Sequence, residues 1–385
     1  MTSEERRAAR RQRRSIAREQ KRQEAVGQYD DYERVIKSSS LIKAAKQSRK
    51  EVAWKSSVQK YFMSLLRNTW DLRKKLQSGV SVVMGFICFY ISERGKTRYI
   101  RSVHFKERVV QRSLSDNALV PMLSRSLVYD NGASIKGKGI HFAMYRCKKH
   151  LIKYYRQNGH SNKGWVLLVD FKGYFDNIQH GPIKQMILKF FADRRLRWLI
   201  WQFVKSFGEK SLGIGSQVSQ ILAVAYGNEV DHYAREVLGL GNSGRFMDDS
   251  YYFHSDKKYL EYCLGKLKKK YEALGITINE KKTQIIPLRR FTFLKVRYSL
   301  TETGRVVMKP CRDSIVRQRR KLKSFRKLVA EGKMTMDDVR NSYESWRGYQ
   351  KHLDAHRTIR NMDKLFCELF GFWPTRKTDK KKERK

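Results

Sequence analysis

The sequence of 385 residues predicts an α+β fold, and three observations carry that prediction. Most of the chain shows helical periodicity. Short β-rich runs interrupt it near 80–103, 165–170, 245–254 and 276–309, and helical, very basic sequence returns from about 313. The length allows two or three compact units at roughly 100–200 residues each. With 41% hydrophobic and 12% aromatic residues, the chain can bury a core, which excludes a disordered polymer.

The elements follow in order. Residues 1–26, rich in Arg, Gln, Glu and Ala, read as a solvated helix or a disordered basic arm. Residues 30–76 are helical, with a stripe such as Val58, Tyr61, Phe62, Leu65, Leu66, Trp70 and Leu72. Val80–Ile91 and Thr97–Val103 predict a hairpin turning through Glu93-Arg94-Gly95-Lys96. Residues 106–128 and 140–157 are helical, separated by the Lys/Gly-rich loop Asn131–Ile140. Trp165–Asp170 is a short apolar run ending in an acid, as expected of a buried strand. Pro182 suits the first turn of a helix at 182–194, and another helix spans about 194–207. Apolar residues from Val218 to Val237 predict one long helix, and Arg245–His254 a tight hairpin. A helix at 256–274 stops at Gly275, and extended pieces follow at 276–279, 283–287, 291–300 and 305–309. In the basic C-terminal stretch, Thr335-Met-Asp-Asp338 reads as a helix cap.

Lys and Arg number 83 against 37 Asp and Glu, a formal net charge of +46. Residues 1–25 and 376–385 each carry +5, so about +36 belongs to the body between them. A surface that repels itself this strongly fits a polyanion, with nucleic acid the foremost candidate. Charge alone leaves open a ribosomal-type structural protein or a membrane-surface binder. The longest apolar run, Val82–Ile91, is far short of the ~20 residues a bilayer requires, and no apolar signal region opens the chain. Five scattered cysteines without a CxxC pair predict reduced thiols in a cytoplasmic protein. His352 and His356 share a helical face but lack a third ligand.

In so basic a chain, clustered acids are the informative residues. Asp170 ends the apolar strand, and Asp248 and Asp249 sit at the middle of the aromatic hairpin. Singly, each has a plain structural explanation, a helix cap or an ordinary turn. Together, carboxylates on these elements could hold two divalent cations ~3.5–4 Å apart for in-line nucleotidyl transfer. Mg²⁺ suits that role because it prefers oxygen ligands and keeps positions open for phosphate.

Phe246-Met-Asp-Asp249 resembles the YxDD-type box of reverse transcriptases, with Phe in place of the usual Tyr. Asp170-Phe-Lys-Gly-Tyr-Phe-Asp-Asn-Ile178 is similar to the first palm motif of bacterial reverse transcriptases of the retroelement and group II-like type. Leu212-Gly-Ile-Gly-Ser-Gln-Val-Ser-Gln220 stands where the family has QGxxxSP, and resembles the (I/L/V)GxxxSQ form associated with diversity-generating retroelements. Phe105–Arg112, Asn131–Gly139, Leu274–Thr283 and Phe293–Tyr298 resemble further motifs in the family's order, with Lys295 replacing a common glycine.

The resemblance, over about residues 85–370, implies a right-hand polymerase. Its parts are a basic N-terminal extension (1–79), fingers (80–164), a palm with an antiparallel sheet (165–300), a helical thumb (301–373) and a basic tail (374–385). It implies Asp170, Asp248 and Asp249 as catalytic metal ligands for two Mg²⁺ ions, with Mn²⁺ as the alternative. It assigns dNTP contacts to Lys96, Arg98, Arg101, Phe171, Phe175, Gly215, Gln220 and Lys282, Phe175 being the steric gate against a ribose 2′-OH. It assigns template or primer contacts to Arg108, Lys136, Lys138, Ile214, Ser219, Phe246, Met247 and Lys295. Gly215 is expected to let the backbone approach the incoming base and template. The implied partners are a cognate structured RNA template, an RNA/DNA hybrid and dNTPs, with a basic accessory protein in a diversity-generating system and no membrane. An antiphage defence or other group II-like reverse transcriptase, an RNA-templated RNA polymerase and an RNA-binding scaffold on an inactive polymerase fold are the alternatives.

Overall fold

The structure is a computed structural model and describes residues 2–93 and 95–374. Arg94 of the expected turn and the basic tail from 375 onward lie outside the described residues, as does the side chain of Lys96. Helix α1 (Ser3–Tyr29) opens on a capping box between Thr2 and Glu5, so the arginine-rich arm is helix. α2 (Tyr32–Ile36), α3 (Ser38–Ser48), α4 (Ser56–Met63) and α5 (Leu65–Gln77) follow, burying Tyr32, Leu41, Val58, Tyr61, Leu72 and Leu76. β1 (Phe86–Glu93) pairs antiparallel with β2 (Lys96–Val103), Glu93 opposite Lys96. The strand begins later than Val80 suggested, after Gly85 at φ +78°.

α6 (Phe105–Leu114), a π turn (Ser115–Leu119) and α7 (Val120–Ser124) fill the helical stretch expected at 106–128. α8 (Ile140–Gln157) and β3 (Trp165–Val169) match expectation, the last four residues of β3 being buried. α9 (Tyr174–Asn177), α10 (His180–Phe190) and α11 (Arg194–Lys205) come next. The helix expected to reach 194 stops at Phe190, because Asp193 caps α11 by accepting from the Arg195 and Leu196 amides. The long helix expected from Val218 is two, α12 (Gln217–Tyr226) and α13 (Asn228–Glu236). At the break, the Val224 carbonyl accepts from Arg245 Nη2 at 2.8 Å.

β4 (Ser243–Phe246) and β5 (Asp249–His254) form the acidic hairpin, and α14 (Lys257–Glu272) ends before Gly275. β6 (Gln284–Pro287), β7 (Arg290–Phe293), β8 (Val296–Leu300) and β9 (Val306–Pro310) follow. Residues 291–300 are therefore a hairpin rather than one strand, turning at Leu294 and Lys295 with φ +47° and +60°. Segment 276–279 contributes the isolated bridge between Phe171 and Ile278. α15 (Arg312–Ala330), α16 (Met336–Gln350) and α17 (His356–Phe370) complete the order, α16 starting at the expected Thr335–Asp338 capping box.

Strands β4, β5, β3 and β6 form a four-stranded sheet in that order, while β7, β8 and β9 form an antiparallel three-stranded sheet. The chain divides into two compact units. The first takes residues up to 139, 169–250 and 261–284. In it α12, nearly all buried, packs against α6, α10 and α11, and α3 against α5 and α6. The second takes 140–168, 251–260 and 285 onward. There α8 packs on β8 and β9, and α15, α16 and α17 close a core of Leu322, Val339, Tyr343, Met362 and Phe366. Among the described residues no helix is long and apolar enough to cross a membrane.

Candidate active site

The acids singled out in the sequence come together in the first unit. Asp170 follows β3, and Asp249 begins β5, its neighbour in the sheet. Asp248 and Met247 form the two-residue turn between β4 and β5, Met247 being left-handed at φ +56°. Asp170 is the most firmly held of the three. Lys282 Nζ donates to both of its carboxylate oxygens, at 2.9 and 2.8 Å, and Asn279 Nδ2 donates to Oδ1 at 2.9 Å. The backbone amide of Asn279 donates to the Asp170 carbonyl at 2.8 Å, so residues 279–283 wrap the end of the strand.

Burial pushes the Asp249 carboxyl up to about 7, helped by the negative charges of Asp248 and Asp170. Asp248 is raised for the same first reason and by Asp170, against the pull of Lys282 and Arg98. Lys282 in turn is held above its ordinary value by its hydrogen bond to Asp170. Among the described residues no three His, Cys, Asp or Glu side chains converge in this structure closely enough to hold a metal ion. The donor set nevertheless fits a hard cation: it consists of carboxylate oxygens, and burial beside Asp170 raises Asp248 and Asp249 in spite of the positive charge nearby. The one ammonium that reaches them is committed to Asp170.

Around this cluster the other expected residues sort into two kinds. Phe175 is partly exposed, and its carbonyl accepts from the Leu212 amide at 2.8 Å while Ser211 N donates to Ile178 O at 2.8 Å. These bonds tie the first palm motif to the Ile214-Gly215 segment. Ile214 is 38% exposed, and Gln220 is exposed on the first turn of α12. Arg98 is exposed on β2, and its charge reaches Asp248. Phe246 is partly buried at the end of β4, and Lys136 is exposed in its loop.

Other residues are engaged elsewhere. Arg101 lies on the face of β2 opposite Arg98, as strand alternation requires. Its guanidinium sits over the rings of Phe86 (5.8 Å) and Phe207 (5.2 Å) and donates to the Phe207 carbonyl, so in this structure it fastens the hairpin to Phe207. Phe171 is 4% exposed, with its ring against Tyr174 and Tyr271, and serves the core. Gly215 (φ +120°) meets protein, not only substrate: a Cβ there would lie 2.7 Å from the Arg101 carbonyl oxygen. Ser219 is buried, its amide donating to Ser216 Oγ, the α12 cap. Arg108 donates to Ser102 Oγ, and Lys138 folds back onto the Tyr129 carbonyl at 2.7 Å. Lys295 is exposed in the left-handed turn of the second unit.

Four supporting residues were missed in the sequence. Glu107 and Gln111 are buried; Gln111 Oε1 accepts from Ser216 Oγ and from the Gln217 amide, and its Nε2 donates to Glu107. Arg245 and Asp231 form a buried ion pair beneath the acidic turn. The i,i+4 spacing of Glu107 and Gln111 on the face of α6 that also carries Val110 and Leu114 was the available signal for the first pair; the second pair left none.

The reverse transcriptase (RNA-dependent DNA polymerase) family model matches residues 91–298, more than half of the chain. The chain belongs to the reverse transcriptase family. Domains of this family generally use divalent metal ions, in keeping with the oxygen-donor cluster of this reverse transcriptase. Protein YkfC of Escherichia coli (strain K12) is 25% identical over 194 residues, 48% of this chain and 49% of that protein. Apo telomerase from Candida tropicalis, truncated from the C-terminal domain, aligns with TM-score 0.45 and 13% identity over 58% of this chain and 54% of that one. Telomerase from Candida albicans, in complex with a TWJ fragment of telomeric RNA, aligns with TM-score 0.47 and 12% identity over 81% and 60%. The chain thus spans about half the length of the curated relative it matches.

Proposed function

We propose that this chain is an active RNA-directed DNA polymerase that copies a cognate structured RNA into cDNA. The observation that carries the reading is the cluster of Asp170, Asp248 and Asp249, in which the charge of Asp170 reaches both other carboxyls and Lys282 pairs with Asp170 at 2.8 Å. In this reading residues 80–164 are fingers, 165–300 palm and 301–373 thumb, with 1–79 a basic extension. Two Mg²⁺ ions held by the three carboxylates would supply charge stabilisation to the attacking 3′-hydroxyl and the leaving pyrophosphate. Arg98 attracts the triphosphate toward the cluster. Phe175 excludes a ribose 2′-OH and selects dNTPs, which disfavours RNA synthesis. Lys282, kept protonated by Asp170, can pass an Nζ proton to the departing pyrophosphate. The basic surfaces follow template and hybrid backbone.

The biological role we infer is mutagenic copying in a cytoplasmic diversity-generating retroelement, alongside a basic accessory protein. Ile214-Gly215-x-x-x-Ser219-Gln220 supports it, because Ile214 offers an apolar surface where the common motif offers an amide. Mg²⁺-dependent dNTP incorporation on a primed RNA tests the activity. Wild type extends the primer, and Asp248→Ala with Asp249→Ala abolishes extension. Extension that survives the double substitution removes the metal assignment, and no extension by wild type leaves the RNA-binding scaffold.

A further inference from the structure

We propose that Arg245 is the positioning residue of the catalytic turn, held by Asp231 and carrying the template-side loop and the acidic hairpin as one piece. The proposal rests on the polymerase reading for its kinetic consequence, though not for its structural one. Arg245 is 2% exposed, at β4, two residues before Met247. Its Nε donates to both Asp231 oxygens at 2.9 Å, and Nη2 donates to Asp231 Oδ2 at 2.7 Å and to the Val224 carbonyl at 2.8 Å. Nη1 donates to the Met247 carbonyl at 3.1 Å. A single guanidinium therefore spans the carboxylate of α13, the end of α12 and the turn that presents Asp248 and Asp249.

Its backbone reaches the other way. The Arg245 amide donates to the Asp130 carbonyl at 3.2 Å, and the Gly132 amide donates to the Arg245 carbonyl at 3.0 Å. Asp130 is itself buried and paired with Arg235 at 2.7 Å. The loop that continues to Lys136 and the turn that carries two of the three carboxylates are thus fastened to one residue. Stability alone does not explain the arrangement, since a buried ion pair seldom outperforms an apolar pair of similar volume. What the fork supplies is direction: Met247 must stay left-handed, a conformation non-glycine residues seldom adopt, and its carbonyl is held there by Nη1.

Arg245→Lys separates the roles. A lysine keeps a charge for Asp231 but cannot span to Val224 and Met247 at the same time. The expected result is a variant that stays folded at the assay temperature, melts a few degrees below wild type through the two carbonyls left unpaired, and binds primer–template with unchanged Kd. Its Mn²⁺ affinity, read by electron paramagnetic resonance without nucleotide, falls about tenfold, and its kcat falls by about 10–100-fold with KM for dNTP changed far less. Gly227→Ala is the second variant, in case the lysine variant does not fold. Its Cβ would stand 3.2 Å from the guanidinium carbon and crowd the fork without removing any polar group, and a smaller loss in the same direction is expected. Mn²⁺ affinity and kcat equal to wild type in a folded Arg245→Lys, or losses that only track the unfolded fraction in both variants, overturn the proposal. A wild type that binds Mn²⁺ in an Arg245-dependent way but extends no primer would sink the polymerase reading and leave the positioning role standing.

Discussion

A carboxyl that titrates near neutrality, as Asp249 does, must lose its proton before it can hold a cation. The apparent Mg²⁺ affinity of primer extension is therefore expected to rise by up to about tenfold per pH unit below about 7 and to level off above it; Mg²⁺ titrations at several pH values check this. The sign for folding is opposite. The folded carboxyl binds its proton more tightly than an unfolded one, so this group's contribution is fully present below about pH 4 and is lost as pH rises through 7. The melting temperature of the metal-free protein should fall across that window, and less so in Asp249→Asn. Ile214→Gln should reduce misincorporation, most of all opposite template adenine; an unchanged error spectrum would remove the fidelity role. The three acids were legible because acids are scarce in this chain and these end a strand or sit in a turn. Arg245 was not, since its partner lies fourteen residues earlier on a helix with several other charged residues, among which Asp231 does not stand out.

At the scale of elements, the hairpin β1–β2 is joined to the start of α12 by close approach rather than by a broad interface. Gly215 lies against the Arg101 carbonyl, and a Cβ on Gly213 would strike the Phe207 ring that Arg101 covers. Gly215→Ala is expected to destabilise the fold by about 1–3 kcal/mol, through positive φ and the clash together, in denaturant unfolding. Unchanged stability with lost activity would return the glycine to the substrate. Here the strand geometry divides what the sequence leaves as one group. Lys96, Arg98 and Arg101 look like one basic cluster, but period-two alternation puts the third on the opposite face. The break at Gly227 and the turn at Leu294–Lys295 were hidden because tertiary hydrogen bonding and strand pairing, not local propensity, set them.

For the whole molecule, the excess of 46 positive charges makes nucleic-acid affinity a function of ionic strength. With six to ten phosphates neutralised, affinity for RNA should fall by about 10³-fold or more between about 50 and 200 mM salt. Filter binding across a salt series checks this, and a flat response would mean that the charge is not where RNA lies. The helical arm α1 is part of the folded first unit: Arg18 pairs with Glu236 at 2.7 Å and lies 3.3 Å from His232 Nδ1, while Arg6, Arg7, Arg10 and Arg14 stay exposed. Composition points to a partner class, and only tertiary contacts show which part of the charge is tied into the fold.

Lys282 on Asp170 has a kinetic consequence. If the three acids hold metal as proposed, loading would be an ion exchange rather than a simple addition, because the ammonium bonded to both oxygens of Asp170 would have to swing away first. The observed loading rate should then saturate as metal concentration rises, with a ceiling set by the lysine's own departure.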